Sequence, residues 1–273
     1  MSLQVTKQLE IAEMAKRVRR KILDMSYQAG GGAHLGGGLS MVEIMTTLYS
    51  AVMNLDPKKS EENNRDRFIL SKGHGVLGFF PVLAEMGLIS DQMLTTYKKN
   101  ESELISHPIM NPENGIESSN GSLGHGLSMA SGLAWASKKR NFSNKIYVLM
   151  GDGECNEGSV WEAAMLSAQL RLDNLIAIVD FNKYQSDGIS EDIINLNNLP
   201  QMWRAFGWDV EEVDGHDIAS LYSALNSKSI KAPKVVIAHT IKGKGVKFME
   251  NDNSWHHGRL TEKTYKQALE QLY

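Results

Sequence analysis

The alternation of apolar and polar positions divides the chain into helices and strands in turn. Residues 3–28 carry an apolar stripe (Leu9, Met14, Val18, Ile22, Met25) at helical spacing. Ser40 reads as the cap of a helix running to about Met53, with Glu43 three residues on completing a capping box. Arg67–Ser71 reads as a short strand, and a helix to about Met86 follows the Lys72–Gly75 turn. Asp91 starts another helix ending near Lys99, and Leu127–Arg140 a further one with small residues over much of its surface. Lys145–Met150 and Leu175–Val179 are continuous apolar runs of buried-strand length, and Ser159–Leu170 between them is helical. Trp208–Val213 and Val235–His239 are further strands, with Ile218–Ser227 a helix between them. The last helix begins near Thr261, where Thr264 replaces the usual acid of a capping box. Strands alternating with helices, with no repeat and no Pro/Ser-rich linker, predict an α/β fold. A doubly wound, mostly parallel sheet with helices on both faces is expected over residues 1–273 as one domain.

Three stretches break the pattern. Gly30–Gly38 has six glycines around Ala33-His34-Leu35 and reads as too glycine-rich for a regular element. Residues 105–124 are turn-rich, and a loop of that length inside a compact domain is usually functional. Lys242–Val246, Lys-Gly-Lys-Gly-Val, reads as a loop.

Composition removes several classes of function. A net charge of −3 with scattered basic residues gives no nucleic-acid footprint. No apolar run approaches the roughly 20 residues that span a bilayer. Met1–Arg20 lacks the apolar core of a secretion signal, which makes the cytoplasm the expected compartment. Cys155 is the single cysteine, which excludes an intrachain disulfide and a cysteine metal cluster.

The candidate chemistry lies after two strands. Gly151-Asp152-Gly153 follows the first buried run, and Asn182 follows the second, thirty residues beyond Asp152. Open parallel sheets bind ligands at the carboxyl ends of their strands. A carboxylate, an amide oxygen and a nearby backbone carbonyl are hard ligands suited to Mg²⁺, which completes its octahedron with phosphate oxygens and water. The glycines let the backbone approach a phosphate, and the next helix start offers free N–H groups to it. Four of the eight histidines (His34, His74, His107, His125) sit beside Gly, Pro or Ala in loops, where a side chain titrating near neutrality suits proton transfer. His216 and His239 keep an ordinary structural reading.

The GDG-to-Asn spacing is similar to the thiamine diphosphate signature. Five ordered segments resemble the diphosphate-binding domain of transketolases: GGAHLGGGLS (31–40), SKGHG (71–75), SHPIMNPENGIESSNGSLGHGLS (106–128), GDGECNEG (151–158) with DFN (180–182), and NDNSWHHG (251–258). The resemblance implies thiamine diphosphate and Mg²⁺ as cofactors, the metal held by Asp152, Asn182 and the Tyr184 carbonyl. Gly153, Glu154 and Asn182, with the loop of Gly121, Ser122, Leu123, Gly124 and Gly126, would hold the cofactor. His74 and His257 would face its diphosphate, His256 being the alternative to His257. His34, His74 and His107 would line the channel that holds the sugar. Glu157 would lie at an interface between like subunits in the family's carboxylate network. The implied catalytic set is His34, His74, His107, His257 and Glu157. Lys72 and Lys244 are candidate anion contacts, and His125 stands where many members carry Gln.

The family's pyrimidine-binding and C-terminal domains, one of which carries the glutamate that activates the cofactor, have no counterpart in these residues. The resemblance therefore implies one half of a split transketolase. It would move a two-carbon ketol unit between sugar phosphates only with a separately encoded C-terminal subunit, two copies of each. Rival readings are the α chain of a 2-oxo-acid dehydrogenase, a 1-deoxyxylulose-5-phosphate synthase, and a non-catalytic cofactor-binding partner subunit.

Overall fold

In the computed structural model, residues 3–272 are described apart from 57–63, 197 and 230. Met1, Ser2 and Tyr273, at the ends of the span expected to form one domain, lie outside the described residues. Five strands form one all-parallel sheet in the order β1-β2-β3-β5-β4: β1 (Arg67–Leu70), β2 (Ile146–Gly151), β3 (Leu175–Phe181), β4 (Asp209–Asp214) and β5 (Lys234–His239). The β3→β4 connection skips a place that β5 then fills, so the winding reverses beside β3.

Both faces are covered because the period-two alternation sends successive strand residues to opposite sides. Phe68, Leu70, Tyr147, Leu149, Ile176, Ile178 and Val236 face one core. This core is built with α1 (Val5–Ala29), α2 (Leu35–Ser40), α3 (Val42–Thr47), α4 (Val76–Glu85), the short α5 (Asp91–Leu94), and later α10 (Ile218–Asn226) and α11 (Glu262–Glu270). Ile69, Ile146, Val148, Met150, Ala177, Val179 and Val235 face the other core. There they meet α6 (His125–Lys139), α7 (Gly158–Gln169) and, beyond a one-turn α8 (Ser190–Ile193), α9 (Leu199–Ala205).

The strands, α1, α6, α7 and α10 lie within a few residues of their expected bounds, and Thr261 and Thr264 make the reciprocal capping box. Four expectations change. Leu9, placed on the buried stripe of α1, is 63% exposed. The Asp91 helix stops at Leu94 and continues as turns. The glycine run is partly helical, since α2 spans Leu35–Ser40 and all six residues are buried. A Cβ on Gly36 would come within 2.9 Å of Lys242 Cγ and 3.1 Å of the Trp255 carbonyl oxygen. Close packing there, not flexibility, calls for glycine.

Ser40 and Glu43 form no capping box either. The helix runs through α2, α3 and a π-helical turn at Leu48–Val52. The Ser40 hydroxyl donates to Asp180 Oδ2 at 2.5 Å, and Glu43 is bound by Arg19 and His216. Tertiary partners have taken both side chains from the helix start.

Candidate active site

Loops after four parallel strands meet at one edge of the sheet: Ser71-Lys72 after β1, Asp152 after β2, Asn182 after β3, and Thr240–Lys242 after β5. Gly151 pairs with Asp180 in the β2–β3 register, which sets Asp152 and Asn182 side by side beyond the strand ends. Both are buried, Asp152 at 4% and Asn182 at 6% exposure. Ser190 Oγ donates to Asp152 Oδ2 at 2.7 Å. Burial pushes the Asp152 carboxyl up to about 6, the Ser190 bond opposes this, and the nearby Asp180 charge adds to it. The Asn182 amide donates to Asp180 Oδ2 (3.3 Å), and its oxygen accepts the Tyr184 N–H (3.1 Å). Tyr184 then bridges to Ile189, closing a small hairpin.

This donor set fits Mg²⁺. A buried carboxylate held against its ionisation, beside an amide oxygen, supplies hard oxygen ligands and the charge deficit that a cation corrects. Among the described residues no group of three or more His, Cys, Asp or Glu side chains could hold a metal. A one-carboxylate site leaves coordination positions for the oxygens of a phosphate ligand.

Lys72, expected as an anion contact, is turned inward. It is 1% exposed, forms an ion pair with Asp180, and donates to the Gly37 carbonyl at 2.9 Å. Asp180 also accepts the Ser40 and Thr240 hydroxyls. The pair braces the floor from which Asn182 projects. Glu154, expected to touch the cofactor, is likewise turned inward. At 2% exposure it accepts the Ser71 hydroxyl, the Gly124 N–H (2.8 Å) and the Gly151 N–H (3.2 Å). It ties together the three loops that would surround a diphosphate.

In the middle of those loops, Gly124 has φ +84°, and a Cβ there would lie 2.4 Å from Ser159 Oγ and 2.7 Å from Glu157 Cβ. Only glycine fits this turn. Gly121 and Ser122 are exposed, Leu123 is half-buried, and Gly126 is buried in the first turn of α6. Gly153 lies beneath Gln185, whose side chain a Cβ would meet at 2.6 Å. Glu157 is exposed where α7 begins, on a face where Trp135, Met165 and Leu166 are also open.

Five of the eight histidines gather around His34. Its ring centre lies 4.7 Å from that of His257, 5.1 Å from His74, 5.4 Å from His256 and 6.4 Å from His107. His74 and His256 are 5.6 Å apart. Burial, with the neighbouring imidazoles and lysines, lowers His34 to about 4 and His256 to about 3, and takes His74 well below its ordinary value. These three rings are neutral at physiological pH. His125 and His239 are exposed and His216 half-buried, all outside the group.

The sequence singled out Lys244 in its loop, but the residue turned into the site is Lys242. It is 1% exposed, and its ammonium reaches His256 Nδ1 (2.9 Å), Asn253 Oδ1 (2.8 Å) and the Gln185 carbonyl (3.2 Å). Burial lowers it to about 8. Of the paired histidines, His256 is the one held inside by a partner, whereas His257 is exposed, its ring lying over Gly32. A Lys-Gly-Lys-Gly repeat has no periodicity to say which lysine points inward.

A parallel sheet with glycine turns, a buried carboxylate and a polar histidine pocket at its carboxyl edge defines an α/β protein built to hold a phosphorylated ligand. The family model "Transketolase, thiamine diphosphate binding domain" matches residues 11–272. One of the two subunits of an apulose-4-phosphate transketolase from Actinobacillus succinogenes is 46% identical over 264 residues, 96% of each chain. A 6-deoxy-6-sulfo-D-fructose transketolase subunit of a Clostridium species is 39% identical over 97% of each. The crystal structure of Campylobacter jejuni transketolase superposes with a TM-score of 0.88 at 28% identity, covering 99% of this chain and 43% of that one. The chain belongs to the transketolase family and is a subunit-sized enzyme component of it, which disfavours the 2-oxo-acid dehydrogenase and non-catalytic readings. Among the described residues no helix is long and apolar enough to cross a membrane.

Proposed function

We propose that this chain is the diphosphate-binding half of a cytoplasmic split transketolase, a single domain over residues 1–273. It binds thiamine diphosphate through Mg²⁺ and moves a two-carbon ketol unit from a ketose phosphate to an aldose acceptor. Activity requires a separately encoded C-terminal subunit, in an assembly with two copies of each. The match to a relative that is itself one separate transketolase subunit, over 96% of both chains, carries this reading. The names of the relatives make apulose 4-phosphate and 6-deoxy-6-sulfo-D-fructose the first substrates to test beside the pentose phosphates.

Asp152, Asn182 and the Tyr184 carbonyl would hold the metal, with Gly153, the Gly121–Gly126 loop and the histidines nearest to it on the diphosphate. Bound thiamine diphosphate supplies a nucleophilic carbon for the ketose carbonyl and an electron sink when the sugar C2–C3 bond breaks. The chain's own task is to orient the sugar and move protons. Neutral His34, His74 and His107 each offer one N–H donor and one acceptor nitrogen, which suits a ketose with a carbonyl and neighbouring hydroxyls. His256, neutral and bonded to Lys242, joins them at the pocket wall. Glu154 acts on the ligand through the loops that it ties, and Glu157 faces the surface that a second copy of this chain would cover. The carboxylic acid that serves the aminopyrimidine would come from the C-terminal subunit.

Binding of thiamine diphosphate to the purified pair of subunits, followed by calorimetry with and without Mg²⁺, tests the cofactor reading. Metal-dependent binding that Asp152→Ala abolishes is expected. Equal binding without metal, or by the variant, would refute the metal role.

A further inference from the structure

We infer that the buried cluster of Arg19, Glu43 and His216 is a positioning device that sets Lys242 and, through it, fixes the orientation and tautomer of His256 in the site. The Ile241–Gly245 loop, which carries Lys242, has no regular structure, and three ties locate it. The Ile241 N–H donates to His216 Nε2 at 2.9 Å. The Gly243 N–H donates to the Gly36 carbonyl at 3.0 Å. The Lys244 carbonyl accepts from Arg19 Nε at 3.0 Å. Two of these ties run to the cluster.

The cluster is itself fully specified. Arg19 makes a two-pronged contact with Glu43, Nη1 to Oε1 at 2.6 Å and Nη2 to Oε2 at 2.7 Å. Burial acts to raise the Glu43 carboxyl, yet the His216 bond and the Arg19 charge hold it down at about 2, so it is an anion. Glu43 Oε2 also meets His216 Nδ1 at 2.9 Å. A backbone N–H can only donate, so His216 Nε2 must accept and the ring proton must sit on Nδ1, facing the carboxylate. The side chains are 9%, 11% and 12% exposed for Arg19, Glu43 and His216, so little water competes.

Lys242 rises between the first and third ties. Its ammonium has three donors and meets three acceptors, one of them His256 Nδ1. His256 Nδ1 is therefore the acceptor, and its proton sits on Nε2, the nitrogen not held by Lys242. Arg19 lies on α1, Glu43 on α3 and His216 after β4, so the device links two helices and a strand end to one imidazole. The three act on the histidine group around His34 through the loop and Lys242, which makes them positioning residues.

The test reads His256 directly in the full chain by ¹⁵N NMR of labelled histidine. His256 in the Nε2–H form is expected for the wild type, and a mixed or Nδ1–H form for His216→Leu. In the assembled enzyme, His216→Leu should lower kcat about tenfold or more with donor KM and cofactor affinity little changed, since misplacement costs rate before binding. His216→Gln, whose amide can donate to Glu43 and accept from Ile241, should restore both readouts. If His216→Leu does not fold, Glu43→Gln tests the same link at nearly constant volume. A folded variant with His256 still in the Nε2–H form, or no rescue by glutamine, would overturn the inference. The tautomer measurement needs no substrate, so its failure is distinct from failure of the transketolase reading.

Discussion

Replacing Asp152 by Asn should stabilise the metal-free chain at neutral pH while destroying its metal affinity. Folding raises the Asp152 carboxyl from 3.8 to about 6. The folded state therefore holds this proton more tightly than the unfolded state, and wild-type stability falls as pH rises from about 4 to about 6. At about 1.4 kcal/mol per pH unit, a gap of roughly two units amounts to about 3 kcal/mol at pH 7. Asparagine keeps an oxygen for the Ser190 hydroxyl and carries no charge to bury, so the variant escapes that loss. Thermal unfolding of both proteins without metal, from pH 3.5 to 7.5, is the assay. The variant should gain roughly 5–10 °C at pH 7 and almost nothing below pH 4. Thiamine diphosphate with Mg²⁺ should then raise the wild-type melting temperature and leave the variant's unmoved. An equal gain at pH 3.5 and pH 7, or none at either, would refute a strained buried carboxylate as the centre of the site.

Other outcomes follow from the same geometry. Lys72→Met should cost about 3–5 kcal/mol in chemical denaturation, because it leaves Asp180 charged and unpaired at 0% exposure. Gly124→Ala, strained at φ +84° and crowded by Ser159, should weaken thiamine diphosphate binding at least as much as it lowers stability, read by calorimetry against thermal unfolding. His34→Ala in the assembled enzyme should lower turnover more than cofactor affinity; unchanged turnover would remove His34 from the sugar channel. His34 and His256, lowered to about 4 and about 3, should show no NMR titration between pH 6 and 8 in the free chain, and diphosphate binding should move both upward.

The sheet was legible in the sequence because each buried parallel strand is a short continuous apolar run between turn residues, and such runs have few alternative uses. The GDG-to-Asn spacing was legible for the same reason: the strand register carries Asp152 and Asn182 to one edge. What the sequence hid was decided by partners far along the chain. Ser40 and Glu43 have the spacing of a cap, but Asp180, Arg19 and His216 claim them across more than 20 residues. The glycine run looks like a breaker because glycine lowers helix propensity, yet α2 forms where Lys242 and Trp255 leave room for nothing larger at Gly36. Glu154 and Lys72 sit in loops rich in candidate chemistry, and only burial shows that both brace those loops. Lys242 and His256 were hidden by their neighbours Lys244 and His257, since a one-residue choice in an irregular loop leaves no trace in spacing.

Ketol transfer tests the central claim most directly, from xylulose 5-phosphate or apulose 4-phosphate to an aldose phosphate, with thiamine diphosphate and Mg²⁺. It should be run with this chain alone, with the C-terminal transketolase subunit encoded nearest to it alone, and with the two mixed. Transfer only in the mixture is the predicted result. Transfer by this chain alone would contradict the split-enzyme account, because the group that activates the cofactor would then have to lie within these 273 residues.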